Sequence, residues 1–154
     1  MGILNILPPA LLKTKLFEGL EQPELKALVN KSELKSYGQG DVVVKEGDEG
    51  DSFYCVISGA VDIVIASAAA NDPVTIATLQ EGGVVGEMVL VKKNLRSASA
   101  LAAKKSELLC WHYSQCLDLF SSNPVLGYKV MRNLAYLVAN KLTDMNVLYK
   151  VKQS

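Results

Sequence analysis

The chain has 154 residues, 49% of them hydrophobic and 21% charged, enough for one domain with a real core. Sixteen Lys and Arg cancel sixteen Asp and Glu, which argues against the basic surface that nucleic-acid binding requires. Three cysteines, Cys55, Cys110 and Cys116, are odd in number and form no Cys-x-x-Cys pair; this excludes a disulfide frame and fits buried thiols in a reducing compartment.

Ile3 to Leu7 is a short apolar run cut by Pro8-Pro9. It lacks a basic flank and is too short to span a bilayer, so neither a signal peptide nor a membrane segment is read, and the expected location is cytoplasmic. Pro8-Pro9 predicts a short helix from Ala10 to about Lys15, followed by a turn around Gly19 anchored by Leu16, Phe17 and Leu20. Gln22-Pro23-Glu24 opens a second helix to about Asn30, with Leu25, Leu28 and Val29 on its apolar face.

From Leu34 the period changes. Ser36 to Asp41 contains two glycines and reads as a turn. Val42–Val44 reads as a strand, and Glu46 to Asp51 as a tight acidic turn. That turn lacks the alternating oxygen ligands and final glutamate of a calcium loop, so no metal is assigned. Phe53–Ser58, Ala60–Ala66 and Pro73–Leu79 read as strands, with a hairpin tip at Ser67–Asp72. Ala98–Ala103 and Glu107–His112 follow as two more, joined at Lys104-Lys105-Ser106. Short strands divided by glycine turns predict a small β-barrel or roll.

The C-terminal part reads as helical: Ser114, as N-cap, to Phe120, then a long helix from Asn123-Pro124 to about Tyr149. Met131, Leu134, Val138, Lys141, Met145 and Leu148 recur at spacings of three and four, a coiled-coil seam with one lysine in it. A second stripe, Val130 and Leu137 with Ala135, is available to cover the barrel. Asp144 is the acid expected to answer Lys141 across a dimer. No second domain is recognisable within the sequence.

The stretch Gly82 to Ser99, GGVVGEMVLVKKNLRSAS, carries the chemistry. Gly86 lets the backbone pass close to a ligand. Glu87 to Val91 suits one helical turn, whose first amides point outward as an anion site. Arg96 offers a fork that matches phosphate bidentately. Glu87, a pure acceptor, suits a hydroxyl pair. Acid, arginine and helix start together suit a phosphorylated sugar; the bland alternative is a buried Glu87–Arg96 ion pair that needs no ligand.

Tyr37-Gly38-Gln39-Gly40-Asp41-Val42, Glu46-Gly47-Asp48, Gly50-Asp51-Ser52-Phe53-Tyr54, Gly59-Ala60-Val61, Gly86-Glu87 and Arg96-Ser97-Ala98 stand in one order and spacing. In that arrangement the chain resembles the cyclic nucleotide-binding domain of catabolite activators, kinase regulatory subunits and nucleotide-gated channels. The resemblance implies a single domain over 1–154. It is mainly β: an eight-stranded antiparallel β-roll (a double-stranded β-helix, jelly-roll-like) at 34–113, with N-terminal helices at 1–33 and C-terminal helices at 114–154. It makes 82–99 the phosphate-binding cassette, with ligand-binding residues Gly86, Glu87, Met88, Val89, Arg96, Ser97 and Ala98. Glu87 matches the acid on the ribose 2′-hydroxyl, and Arg96 the arginine on the cyclic phosphate. Asn140, Lys141 and Thr143 lie where the family's last helix meets the base.

Three departures carry expectations of their own. Val89, where a small residue is usual, is expected to crowd the phosphate amides. Leu95, where proline is common, is expected to loosen the loop. Val84-Val85 replaces an aromatic pair.

The function implied is a nucleotide-sensing regulatory module, for cyclic AMP in preference to cyclic GMP because Ser97-Ala98 resembles the bacterial activators. It would act through a homodimer on the C-terminal helix or through a separate effector protein, without nucleic-acid or membrane contact, cofactor or metal. The alternative is a degenerate fold that serves as a protein-interaction module without nucleotide. An enzyme of the cupin kind is disfavoured: those gather several histidines around a metal, and His112 stands alone here with no nucleophile–base pair.

Overall fold

A computed structural model describes residues 7–67 and 71–153; the apolar run at 3–6 and the loop residues 68–70 lie outside the described residues. Eight strands run through the middle of the chain: β1 (Glu33–Tyr37), β2 (Val42–Val44), β3 (Ser52–Ser58), β4 (Val61–Ile65), β5 (Val74–Leu79), β6 (Val84–Val85), β7 (Ser99–Ala102) and β8 (Ser106–His112). All pair antiparallel in two four-stranded sheets, β1-β8-β3-β6 and β2-β7-β4-β5. This is the expected roll. Among the described residues three α-helices flank it: α1 (Gln22–Lys31), α2 (Tyr113–Ser122) and α3 (Pro124–Gln153).

Several boundaries differ from the sequence reading, each for a local reason. The first helix is instead two 3-10 turns, Pro9–Lys13 and Lys15–Phe17, broken at Thr14, which is extended. Ser36 and Tyr37, read as the start of a turn, instead end the strand Glu33–Tyr37: β1 is half-buried along an edge, so its apolar alternation is weak. Val84-Val85 is a two-residue strand against β3. The N-cap of α2 is His112, not Ser114, which falls inside the helix.

Strands β3 and β8 explain the core. On β3, Phe53 and Cys55 face the helices while Tyr54 and Val56 face into the roll; on β8, Leu109 and Trp111 face the helices while Leu108 and Cys110 face inward. Both faces are covered, so both strands read as near-continuous apolar runs. Trp111 is the centre of the helix-side core. It stacks on Phe53 at 5.0 Å, meets Phe17 edge-on at 5.4 Å, and donates its indole N–H to the Leu28 carbonyl at 2.9 Å. The second sheet has a wet outer face, and its edge strand β5 is exposed along nearly its whole length.

The first half of α3 is fastened to the body. Leu126, Val130 and Leu134 are buried against α2 and the N-terminal turns. Asn133 donates to the carbonyls of Leu16 and Glu18, and Lys129 pairs with Glu24 of α1 at 2.7 Å. The second half is exposed at every position from 138 to 152. The expected seam therefore splits: Met131 and Leu134 pack on the chain's own core, whereas Val138, Met145 and Leu148 are exposed. Val130 and Leu137 join the core as expected, and Ala135 is exposed.

Candidate functional site

Gly86 sets the geometry. Its φ of 77° lies in the left-handed region, and the chain leaves it as a 3-10 turn, Glu87–Leu90. The amides of Glu87 and Met88 lead that turn, and the Val89 amide closes it on the Gly86 carbonyl at 3.2 Å. The turn is anchored from behind: Val89 and Leu90 are 5% and 6% exposed and belong to the helix-side core. Val89 is thus a packing residue of the helix-side core that also borders the cavity in front of the turn.

Arg96 is fixed by the acidic turn. Its N–H donates to the Asp48 carbonyl at 2.7 Å, and its carbonyl accepts from Gly47 at 2.9 Å. Asn94 accepts from Gly50, and Leu95 bridges to Glu49. This ladder does the work that a proline at 95 would do, so the loop is held despite Leu95. The guanidinium then threads between two glycines. A Cβ at Gly50 would sit 2.6 Å from its Cζ, and one at Gly86 would collide with Nη1. Nη2 donates to the Ser52 carbonyl at 2.7 Å. Among the described residues no carboxylate pairs with Arg96.

Glu87 has a different partner from the one considered. Lys141, reaching from the outer half of α3, places Nζ 3.3 Å from Glu87 Oε1. The Glu87 side chain is 15% exposed and that of Lys141 70%. Within the chain, Glu87 is the acid that answers this lysine.

Gly86, Glu87, Met88, Val89, Arg96, Ser97, Ala98 and Lys141 all border one cavity of about 510 Å³, within the range of small-molecule sites. Its apolar walls come from Val44, Ile63, Ile76, Leu79 and Val85, on β2, β4, β5 and β6. Lys92 and Arg96 bring positive charge to it while Lys141 and Glu87 offset each other, a balance that favours an anion. Asn140 and Thr143 do not line it; Thr143 bonds back to the Ala139 carbonyl of its own helix. The sequence reading missed Gly50, Ser52 and the β4–β5 wall, since residues distant in sequence are brought together only by the closed roll. The glycine inside an acidic turn was a usable signal for Gly50.

His112 also has a partner that the sequence reading denied it. Its Nδ1 lies 2.9 Å from Ser52 Oγ, and that hydroxyl donates to Asp51 Oδ1 at 2.9 Å. With the hydroxyl hydrogen directed at Asp51, the Ser52 oxygen is left to accept from His112 Nδ1–H. Ser52 is 3% exposed, so the contact locks the start of β3 onto the end of β8. Burial pushes the thiols of Cys55 and Cys116 up to about 11 and about 12 and raises that of Cys110. None of the cysteines forms a disulfide.

An antiparallel roll with an arginine-bearing anion cup between its sheets defines a class of small-ligand-binding domains. Residues 34–123 match the family described as cyclic nucleotide-binding domain. The chain is 32% identical over 132 residues to the cyclic AMP receptor protein of Thermus thermophilus, covering 86% of this chain and 59% of that protein. It is 30% identical over 95 residues to human cGMP-dependent protein kinase 2, covering 62% of this chain and 12% of the kinase. Among solved structures, the catabolite activator protein of Thermus thermophilus is similar at 31% identity and a TM-score of 0.80, over 90% of this chain and 62% of that one. The chain belongs to the cyclic nucleotide-binding domain family. No helix among the described residues is long and apolar enough to cross a membrane.

Proposed function

We propose that this domain binds a cyclic purine mononucleotide, cyclic AMP ahead of cyclic GMP, in the cavity between the sheets, and works as a regulatory module. The observation that carries the reading is Arg96. It is a half-buried cation, fixed between Gly50 and Gly86, with no carboxylate partner among the described residues and a cavity in front of it. A structural ion pair would have matched it with Glu87, and the two are separately engaged. A cyclic phosphate supplies the missing anion, accepting from the guanidinium and from the first amides of the Glu87–Leu90 turn. Glu87 takes a ribose hydroxyl, and the apolar wall of β4 and β5 takes the base.

The signal leaves through a homodimer on the outer half of α3. Val138, Leu142, Met145 and Tyr149 are exposed and recur at spacings of four, three and four, a stripe that two such helices bury side by side. Nucleotide acts by preferring one arrangement of that helix. An effector protein that reads the dimer completes the module.

Calorimetric titration with cyclic AMP and cyclic GMP tests the ligand: saturable heat with the former at lower concentration is expected, and no heat with either at millimolar concentration overturns the reading. Light scattering tests the dimer. The native protein is expected to be dimeric at tens of micromolar, and the double variant Val138→Glu, Met145→Glu a folded monomer.

A further inference from the structure

The contact between Lys141 and Glu87 joins two parts of the chain that otherwise differ in every respect. Lys141 sits in the half of α3 that is exposed at each position from 138 to 152. Glu87 sits in the cassette, 15% exposed, on a turn whose Val89 and Leu90 are pinned in the core. A carboxylate is acceptor-only, and both an ammonium and a sugar hydroxyl are donors that compete for its lone pairs. The hydroxyl of the proposed ligand and the ammonium of Lys141 therefore address the same group, from the cavity and from its rim.

We infer that Lys141 is a competitor built into the chain: in the free protein its ammonium engages the carboxylate to which a ribose hydroxyl donates, so ligand and outer helix compete at Glu87. This rests on the nucleotide reading above. The two partners are unequal. Lys141 is 70% exposed and returns to water when displaced, whereas Arg96 remains to hold the phosphate. Removal of Lys141 therefore favours the ligand. Coupling is reciprocal: whatever factor the pair costs the ligand, the ligand returns by loosening the helix. Mostly exposed ion pairs are worth little, which sets that factor at about two- to fivefold.

The test uses the full chain and Lys141→Met, which keeps most of the length of the side chain and removes the charge. Calorimetry with cyclic AMP is expected to show binding about two- to fivefold tighter in the variant, with the gap between the two proteins closing as salt is raised. Hydrogen exchange across 138–148 in the ligand-free proteins is expected to be faster in both Lys141→Met and Glu87→Gln than in the native chain. Binding equal to or weaker than native in Lys141→Met overturns the competition and makes Lys141 a ligand contact or a bystander. Unchanged exchange in both variants overturns the tether without reference to any nucleotide. Absence of binding to native and variant alike overturns the nucleotide reading, and the competition with it.

Discussion

The two sheets of the roll are built from similar strands and put to opposite uses. The sheet β1-β8-β3-β6 is covered on both faces, by helices on one side and by the inside of the roll on the other, and holds Trp111, Phe53, Leu108 and Leu109 at 1% exposure or less. The sheet β2-β7-β4-β5 is covered on one face only, and its inner face leaves the 510 Å³ cavity unfilled. One sheet supplies the folding energy and the other the space. The cassette crosses between them. Its turn is nailed to the first through Val89 and Leu90, and its arginine is held by the acidic turn that joins β2 of the second to β3 of the first.

That division is broken most directly at Trp111. Truncating a buried aromatic costs about 3–5 kcal/mol, so Trp111→Ala is expected to lower the chemical-denaturation midpoint severely or leave the protein unfolded. A mild loss would mean that the doubly covered sheet is not the stability centre. Arg96→Ala sharpens the same contrast from the other side. Losing one partner of a desolvated charge pair costs roughly 2–5 kcal/mol. At about 1.4 kcal/mol per decade, that weakens nucleotide binding some thirtyfold to a few thousandfold. The denaturation midpoint should stay near native. Affinity unchanged within about threefold would place the ligand elsewhere.

Val89→Ala lies at the crossing point. Two buried methyl groups are lost from the core, at a cost of about 1–3 kcal/mol in stability. Nucleotide titration is expected to show no tighter binding. Tighter binding would support the view that Val89 crowds the site. Glu24→Gln is the smallest effect. The Glu21 backbone N–H, and then Lys129, hold the Glu24 carboxyl below its ordinary 4.5. Because the folded value is depressed, the stabilisation is fully present above 4.5 and is lost as pH falls through the lower folded value. The variant should be less stable than native by about 1 kcal/mol at neutral pH. The two denaturation curves should converge in acid, and a constant gap down to the acid limit would assign the loss to packing.

The sequence made β3 and β8, the middle strands of the doubly covered sheet, easy to read, because continuous apolar runs such as Phe53 to Ile57 and Leu108 to Trp111 mark strands covered on both faces. It made Glu87 and Arg96 legible as a pair of functional groups, because glycine, acid and arginine at that spacing have a chemical meaning. What it hid depends on tertiary closure. Nothing local says that Asp48 and Gly47 hold the Arg96 backbone, that Val89 packs into the core, or that Lys141 meets Glu87. β1 was missed for a plainer reason: an edge strand needs only part of one face apolar, and Leu34 and Tyr37 alone do not make a pattern.

The open edge of the second sheet has a consequence for handling the protein. Val74 to Leu79, VTIATL, is a run of six residues with no charge, glycine or proline, lying exposed along a sheet edge. Such a run templates pairing with other chains. Asp72 and Pro73 guard only its entrance. Concentrated or warmed stocks should therefore lose material to β-rich aggregates that start at this strand, well before the tryptophan-centred core has melted.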